Sequence, residues 1–494
     1  MKKHIIRLLP LGKEIQVNDK TPLIDVLHEF GIEFPCGGAG TCGKCKIRLL
    51  NGRIGLTQQH QDRLEMLGFQ PDWRLACMSY CTEDISLEVA QFSHIILADE
   101  SDFAFTPRDG FGVAVDLGTT TIVAQLVNLK NGDVLAVETM LNPQVRYGAD
   151  LISRIQACIE GHEGEMTKII RSAIGSMINQ MISRHDIYPE KVVIVGNTAM
   201  QLIFSGKDVT PLSAYPFSVH DLGEKYFRPS ELNWEFQISG GVEFYPSIGS
   251  FIGSDILAGI AATGLYEKEN YTALIDLGTN GEIAVGNMHR IVCASTAAGP
   301  AFEGANISMG MRAVTGAVSS FTLDHDKIKA HVIGNSPPMG ICGSALIDAV
   351  AILRKLDQIG PFGEINSGED HIALFENIGL TQKDIHEFLL AKAAIAAGLS
   401  ILINKLGISR ENIDEVYLAG GFGTYVNLNH VAETGMIEGL DGKIRKMGNT
   451  ALIGAKMFLF DNGTMAREIL KKVHPVNLEG DPQFQEIYVD KMML

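Results

Sequence analysis

Four cysteines carry the clearest chemistry in this chain. Three lie in one loop, Pro35-Cys36-Gly37-Gly38-Ala39-Gly40-Thr41-Cys42-Gly43-Lys44-Cys45, and the fourth, Cys77, comes 32 positions after Cys45. Two irons bridged by two sulfides need four thiolates. Three thiolates from one short loop require the backbone to wrap round the metal, and Gly37, Gly38, Gly40 and Gly43 allow that while leaving amide N–H groups to face the sulfides. Cys36, Cys42, Cys45 and Cys77 are therefore expected to hold a [2Fe–2S] cluster, with a zinc knuckle as the less favoured alternative. Cys81 is expected to be a small, half-buried residue rather than a fifth ligand, and Cys158, Cys293 and Cys342 ordinary buried thiols.

A second set of residues suits a polyphosphate. Gly112-Val113-Ala114-Val115-Asp116-Leu117-Gly118-Thr119-Thr120-Thr121 recurs 160 residues later as Tyr271-Thr272-Ala273-Leu274-Ile275-Asp276-Leu277-Gly278-Thr279-Asn280-Gly281. Each copy is a buried strand ending in Asp-Leu-Gly-Thr. Backbone N–H groups and threonine hydroxyls in such turns donate to phosphate oxygens. An Asp at the strand end can hold Mg²⁺ through water. A second pair fits the same duplication: Val192–Thr198 matches Val416–Gly423, and the second copy is longer by about 64 residues, so the second half carries an insertion. Gly420-Gly421-Phe422-Gly423 would let backbone lie flat against an adenosine. Gly253-Ser254-Asp255 opens a helix expected over Ile256–Ala262, which Ser254 or Asp255 could cap.

These residues need elements to position them. The first ninety-five residues begin with a hairpin, His4–Leu9 with Glu14–Val17, followed by a helix over Pro22–Phe30. A polar, Pro- and Gly-containing stretch at 96–110 reads as a linker. It spans at most roughly 50 Å when extended, so the N-terminal module is expected to swing while staying tethered. The division expected is 1–95, linker 96–110, first lobe 111–262, second lobe with its insertion 263–475, and a C-terminal tail 476–494.

Composition sets the limits. The 494 residues are 46% apolar and 20% charged, with 52 glycines, enough to bury large cores. Net charge is −17 overall, yet residues 1–95 hold 11 basic and 11 acidic side chains, so the excess acid lies downstream. An acidic chain without a basic run is a poor match for nucleic acid or an anionic membrane. The start has Arg7 and Pro10 where a signal sequence would be apolar. The apolar stretch Leu389–Leu406 contains Lys392, Asn404 and Lys405 and reads as a buried helix rather than a membrane span. A cytoplasmic protein is expected, with cysteines as thiols or metal ligands rather than disulfides.

The Cys-x5-Cys-x2-Cys spacing resembles the adrenodoxin-like branch of [2Fe–2S] ferredoxins. The duplicated Asp-Leu-Gly-Thr turns resemble the superfamily of acetate and sugar kinases, heat-shock ATPases and actin. By that resemblance Asp116, Gly118, Thr119 and Thr120 form the first phosphate loop; Asp276, Gly278, Thr279 and Asn280 form the second; Gly420, Gly421 and Gly423 form the adenosine loop. Asp255 stands where an acidic residue of the heat-shock ATPases helps position metal and water. The implied fold is an α+β ferredoxin (β-grasp) domain followed by an α/β two-lobed ribonuclease-H-like ATPase domain of the actin and sugar-kinase type.

With Asn142–Asp150, Asp276–Glu282 and Ala298–Ser308 added, the whole chain resembles the reductive activators of corrinoid proteins. The resemblance implies ATP-dependent return of inactive Co(II) to Co(I) by one electron from the cluster. It implies a cobalamin-binding methyltransferase as partner, a separate upstream electron donor and a homodimer as the assembly. Within Gly304–Gly310, Ser308 is the one hydroxyl and the candidate cobalt-facing group. Family members often carry an extra linker and a small middle domain between ferredoxin and ATPase, whereas here about fifteen residues join them. The alternatives are a metabolite kinase with a redox module, or an activator of another low-potential enzyme such as the 2-hydroxyacyl-CoA dehydratases.

Overall fold

The computed structural model describes residues 2–9, 13–27, 40, 45–67, 69, 71–88, 105–148, 150–278, 280–304, 306–311, 313, 316–325, 327–420 and 425–494. In the N-terminal module β1 (Lys3–Leu9) pairs antiparallel with β2 (Lys13–Asn18). Alternation in β1 sends His4, Ile6 and Leu8 inward and leaves Lys3, Arg7 and Leu9 exposed, the period-two pattern of a half-buried strand. After a two-residue strand β3 (Thr21–Pro22), the expected first helix is described as α1 (Ile24–Leu27); the rest of its expected span, 28–30, lies outside the described residues. β4 (Lys46–Asn51), helix α2 (Gln58–Met66), β5 (Trp73–Leu75), β6 (Tyr80–Cys81) and β7 (Ile85–Glu88) complete the module. Its sheet has the order β2-β1-β7-β4-β5, and β3 pairs with β6.

The duplication read from the sequence is a duplication of topology. In the first lobe β8 (Phe111–Leu117) pairs antiparallel with β9 (Thr121–Asn128) and β9 with β10 (Val134–Leu141), while β11 (Lys191–Gly196) lies parallel on the other side of β8. β12 (Lys225–Phe227) and β13 (Val242–Phe244) extend that edge. The second lobe repeats the plan: β14 (Tyr271–Leu277) pairs antiparallel with β15 (Gly281–Gly286), and β15 with β16 (Ile291–Thr296). The insertion follows as a small sheet of β17 (Ala317–Asp324), β18 (Lys327–Val332) and β19 (Gly340–Ile341) and a hairpin of β20 (His371–Phe375) and β21 (Ile378–Thr381). β22 (Ile413–Ala419) then lies parallel to β14, as β11 does to β8. β23 (Ile444–Gly448) and β24 (Val473–Pro475) close the two edges. Central strands β8 and β14 are apolar almost throughout because both of their faces are covered.

The lobes join through two helices, α6 (Ser254–Ala262) from the first and α10 (Thr450–Phe460) from the second, which pack together in one buried cluster with Ala114 of β8 and Leu274 of β14. A Cβ at Gly454 would stand 2.1 Å from the Ala258 carbonyl oxygen, so only glycine allows this approach. The apolar stretch expected to be a buried helix is α8 (Gln382–Leu406); its composition and length would suffice for a membrane span, but 72% of its apolar window is buried within the protein. The tail 476–494 lies on the same core, through Leu478, Ile487 and Tyr488.

The ferredoxin module is seated on the ATPase half rather than held off it. Asn18 and Thr21 donate to the Gly334 carbonyl at 3.2 and 3.4 Å, and Asn335 donates to the Asp19 carbonyl at 3.3 Å. Val137 of β10 belongs to the ferredoxin core cluster. In this arrangement the module is docked on the 334–335 turn and on β10.

Candidate functional site

The fourth-cysteine segment is fixed from both sides. Cys45 sits immediately before β4 and its carbonyl accepts from the Ala76 N–H at 2.9 Å. That bond brings the Cys45 and Cys77 sulfurs to 3.2 Å, close enough for both thiolates to bind one iron. Cys36 and Cys42 lie outside the described residues. A Cβ at Gly40 would stand 2.6 Å from the Met78 sulfur, so Gly40 lies against the segment of Cys77. The donor chemistry fits an iron–sulfur cluster. Cys81 differs: it is fully buried rather than half-buried, its thiol donates to the Glu83 carbonyl, and burial pushes its pKa up to about 11. A thiol so reluctant to ionise is a poor ligand. Cys158, Cys293 and Cys342 are buried thiols, each with its pKa raised by burial.

The residues expected to hold a nucleotide converge between the lobes. Asp116 ends β8 and Asp276 ends β14, and each strand leads into a tight turn: Gly118 N–H donates to the Thr121 carbonyl at 3.0 Å and Gly278 N–H to the Asn280 carbonyl at 3.0 Å. Gly420, at φ +113°, follows β22; a Cβ there would stand 2.3 Å from the Leu277 carbonyl oxygen and 3.2 Å from an Asp276 carboxylate oxygen. Gly420, expected to open the adenosine loop, thus lies against the end of β14. Thr279, Gly421 and Gly423 lie outside the described residues.

Asp255 joins this group. The helix starts at Ser254, earlier than expected, with Gly253 in the cap position; Ser254 instead bonds Gly196 through its hydroxyl, and Asp255 accepts from the Ile256 N–H at 2.9 Å. Burial, with Asp116 adding repulsion, pushes Asp255 up to about 7. Burial, then Asp255 and Asp116, push Asp276 up to about 7, and burial lifts Asp116 to about 6 against a hydrogen bond from Asn449. Three half-buried carboxylates from both lobes therefore repel one another, and a cation among them would relieve that repulsion. Among the described residues no three His, Cys, Asp or Glu side chains close round one point as direct metal ligands.

Several residues of this site escaped the sequence reading. Glu282 is half-buried near Asp255 and Asp276 and is lifted well above the ordinary range by desolvation and then by those two charges. Glu303 accepts from the Thr120 hydroxyl at 3.0 Å, tying second-lobe chain to the first phosphate loop. Asn197 caps helix α5 (Thr198–Ser205) through its oxygen and donates from Nδ2 to the Thr119 hydroxyl at 2.9 Å. Asn449 caps α10 and donates to Asp116 at 2.7 Å. The signal was present: Gly-Asn-Thr occurs at 196–198 and again at 448–450, each with its Asn as an N-cap directly after a strand.

Ser308 is exposed and stands apart from these carboxylates. Its N–H donates to Asp384 Oδ1 at 2.7 Å and its hydroxyl to Oδ2 at 2.5 Å, with Asp384 itself in the first turn of α8.

Comparison with known proteins accounts for both centres. Residues 6–82 match the 2Fe-2S iron-sulfur cluster binding domain, residues 111–268 the RACo middle region, and residues 270–494 the C-terminal domain of RACo, the ASKHA domain. A middle region is thus present, and it is the segment read as the first lobe. The corrinoid activation enzyme RamQ of Eubacterium limosum is 29% identical, with 98% of each chain covered. The [Co(II) methylated amine-specific corrinoid protein] reductase of Methanosarcina barkeri is 29% identical over 74% of this chain and 73% of its own length. The solved structure of a reductive activator for corrinoid,iron-sulfur protein superposes with a TM-score of 0.72 at 27% identity, covering 99% of this chain and 98% of that one. With a cluster domain followed by both RACo regions in order along its length, this chain belongs to the family of reductive activators of corrinoid proteins.

Proposed function

We propose that this chain is an ATP-dependent iron–sulfur activase that returns the Co(II) of a corrinoid protein to Co(I). The observation that carries the reading is the full-length match to a reductive activator, at a TM-score of 0.72 over 99% of the chain. The cluster is taken to be held by Cys36, Cys42, Cys45 and Cys77. The nucleotide is taken to lie between Gly118–Thr120, Gly278–Asn280 and the glycines at 420, 421 and 423. Mg²⁺ is assigned to Asp116, Asp255 and Asp276. When bound, the cluster supplies one electron, and the Mg²⁺ nucleotide supplies the free energy for an uphill reduction.

The chain's own residues explain how nucleotide could change the protein's shape. The first phosphate loop belongs to the first lobe and the second to the other, so a ligand touching both favours the closed arrangement. Glu303 on Thr120 already bridges the lobes at that point. Cation binding must displace protons from carboxyls lifted to about 7, so nucleotide binding with Mg²⁺ releases protons near neutral pH. A closed form that binds the Co(II) partner better than the Co(I) partner lets the product leave. Ser308 remains the candidate group toward cobalt: it is exposed, and donating its proton to Asp384 leaves the oxygen lone pairs free. The partner is taken to be a methyltransferase corrinoid protein. Anaerobic mixing of the reduced protein with a Co(II) corrinoid methyltransferase tests the reading: Co(I) absorption should rise only when ATP is present, and more slowly with Ser308→Ala.

A further inference from the structure

The ferredoxin module touches both lobes, and one strand does so with its two ends. Lys13, at the start of β2, pairs with Glu138 of β10 in the first lobe at 3.4 Å. Asn18, at the end of β2, donates to the Gly334 carbonyl in the second lobe. These two residues lie about 17 Å apart along an extended strand, at roughly 3.4 Å per residue, so six residues reach from lobe to lobe.

Each end is part of a larger contact. On the second lobe the centre is Asp25 of α1, which is 3% exposed. Its Oδ1 accepts from the Tyr425 hydroxyl at 3.0 Å and pairs with His331 Nε2 at 3.1 Å, and its Oδ2 accepts from the Gly334 N–H at 3.2 Å. A buried carboxylate is costly unless such donors satisfy it. On the first lobe Val137 of β10 is buried in the ferredoxin core with Ile6, Leu8 and Val17, and Val123 and Val134 pack against the same cluster. Glu138 also accepts from Arg184 of α4 (Glu163–His185) at 2.6 Å. The lobes themselves join elsewhere, through α6 and α10. A rotation about that helix pair separates the partners of Lys13 from those of Asn18 and Asp25, and a hydrogen bond stretched to about 3.6 Å is lost.

We propose that the ferredoxin module is a clasp across the two lobes, so that opening of the lobes and release of the cluster module from the first lobe are one event. The second lobe holds the module through several hydrogen bonds and a buried carboxylate. The first holds it through apolar packing and one ion pair, and when Lys13 leaves, Glu138 keeps Arg184 as its partner. The module therefore parts from β10 and stays with the second lobe. Without the clasp the lobes move as two domains joined by one helix pair, for which relative motion is the default. No ligand in the cleft is needed for this coupling.

Distances between spin labels on the full chain test it, with the cluster bound and oxidised and no nucleotide present, so the result is separate from that of the nucleotide reading. The labels are carried by p-acetylphenylalanine in place of Tyr188 on the first lobe and Phe362 on the second, which are 60% and 66% exposed. Lys13→Glu sets a like charge beside Glu138; it should lengthen the mean distance by more than about 2 Å, the lower bound of ordinary domain rearrangement, and broaden the distribution. Hydrogen exchange in the same variant should quicken at 134–141 and stay unchanged at 18–27. Asp25→Asn should also lengthen the distance. Lys13→Glu/Asp25→Asn should add little to the larger single effect, because either change opens the same clasp. Arg7→Gln removes an exposed ion pair with Glu14 inside the module and should leave the distance as it is. An unchanged distance in the double variant, with the visible spectrum of the cluster intact, overturns the proposal. So does equal lengthening in Arg7→Gln, and quickened exchange at 18–27 with 134–141 unchanged in Lys13→Glu overturns the order of parting.

Discussion

Asp116 and Asp276 carry the most specific expectations at the scale of single residues. Asp276→Asn should weaken Mg²⁺–nucleotide binding by roughly tenfold to a hundredfold, the size of one charge-assisted contact, and leave the visible spectrum of the cluster unchanged. Burial and two neighbouring carboxylates lift Asp276 to about 7, so its charge is a cost to the nucleotide-free protein at pH 8. The same variant should therefore raise the thermal midpoint of the nucleotide-free protein, the usual exchange between stability and a strained site. Calorimetry and thermal melts on one preparation read both effects, and full-strength binding in Asp116→Asn/Asp276→Asn would place the nucleotide elsewhere. For the cysteines, Cys42→Ala should abolish the cluster, whereas Cys81→Ala should keep it and cost about 1 kcal/mol in stability from lost packing. Analysis should give about two irons and two sulfides per chain, the stoichiometry of this cluster type; four irons would contradict the assignment.

His331 supplies the expectation at the scale of elements, because it joins β18 to α1 through Asp25. Its hydrogen bond to Asp25 is the largest influence on it and raises its pKa above the ordinary 6.5, against burial. Lys20 and Glu376 share the groove that His331 lines, and the Tyr425 ring stacks on it. A histidine whose pKa rises on docking adds stability that is fully present below 6.5 and lost as pH rises through the raised value. Seating of the ferredoxin should accordingly loosen as pH rises above the ordinary histidine value of about 6.5 and through the raised one. An NMR titration of His331 should give a value above 6.5 that falls back in Asp25→Asn; the same value in both proteins would remove the pair from the interface. The elements themselves were legible to different depths. The period-two pattern of β1 and the paired apolar strands β8 and β14 could be read because burial writes itself into composition. The carboxylates at 116 and 276 could be singled out because the turns repeat, and Asp255 only through the resemblance to the heat-shock ATPases. Asp25 and Tyr425 could not: they lie 400 residues apart, and nothing local marks a hydrogen bond made only after two modules dock. Glu303 and Glu282 were hidden for the same reason, since their partners sit on other strands or in the other lobe.

The two modules act as one molecule because they are both tethered and seated. Splitting the chain between Thr106 and Pro107 removes the tether and leaves the Asp25 contacts, so mixed halves should reduce the partner slowly at low concentration and recover as concentration rises, the behaviour of a lost effective concentration. Full activity at nanomolar concentrations of the halves would mean that the covalent link contributes nothing. The central claim is that nucleotide drives electron delivery from this cluster to a corrinoid. The direct measurement is anaerobic, with reduced protein, a Co(II) corrinoid methyltransferase and Mg²⁺–ATP in one cuvette, following Co(I) absorption. The account predicts Co(I) formation that depends on ATP, slows at limiting ATP in Asp276→Asn, and disappears in Cys42→Ala although nucleotide still binds. No Co(I) under these conditions, with phosphorylation of a small hydroxylated metabolite instead, would contradict it and make the chain a kinase.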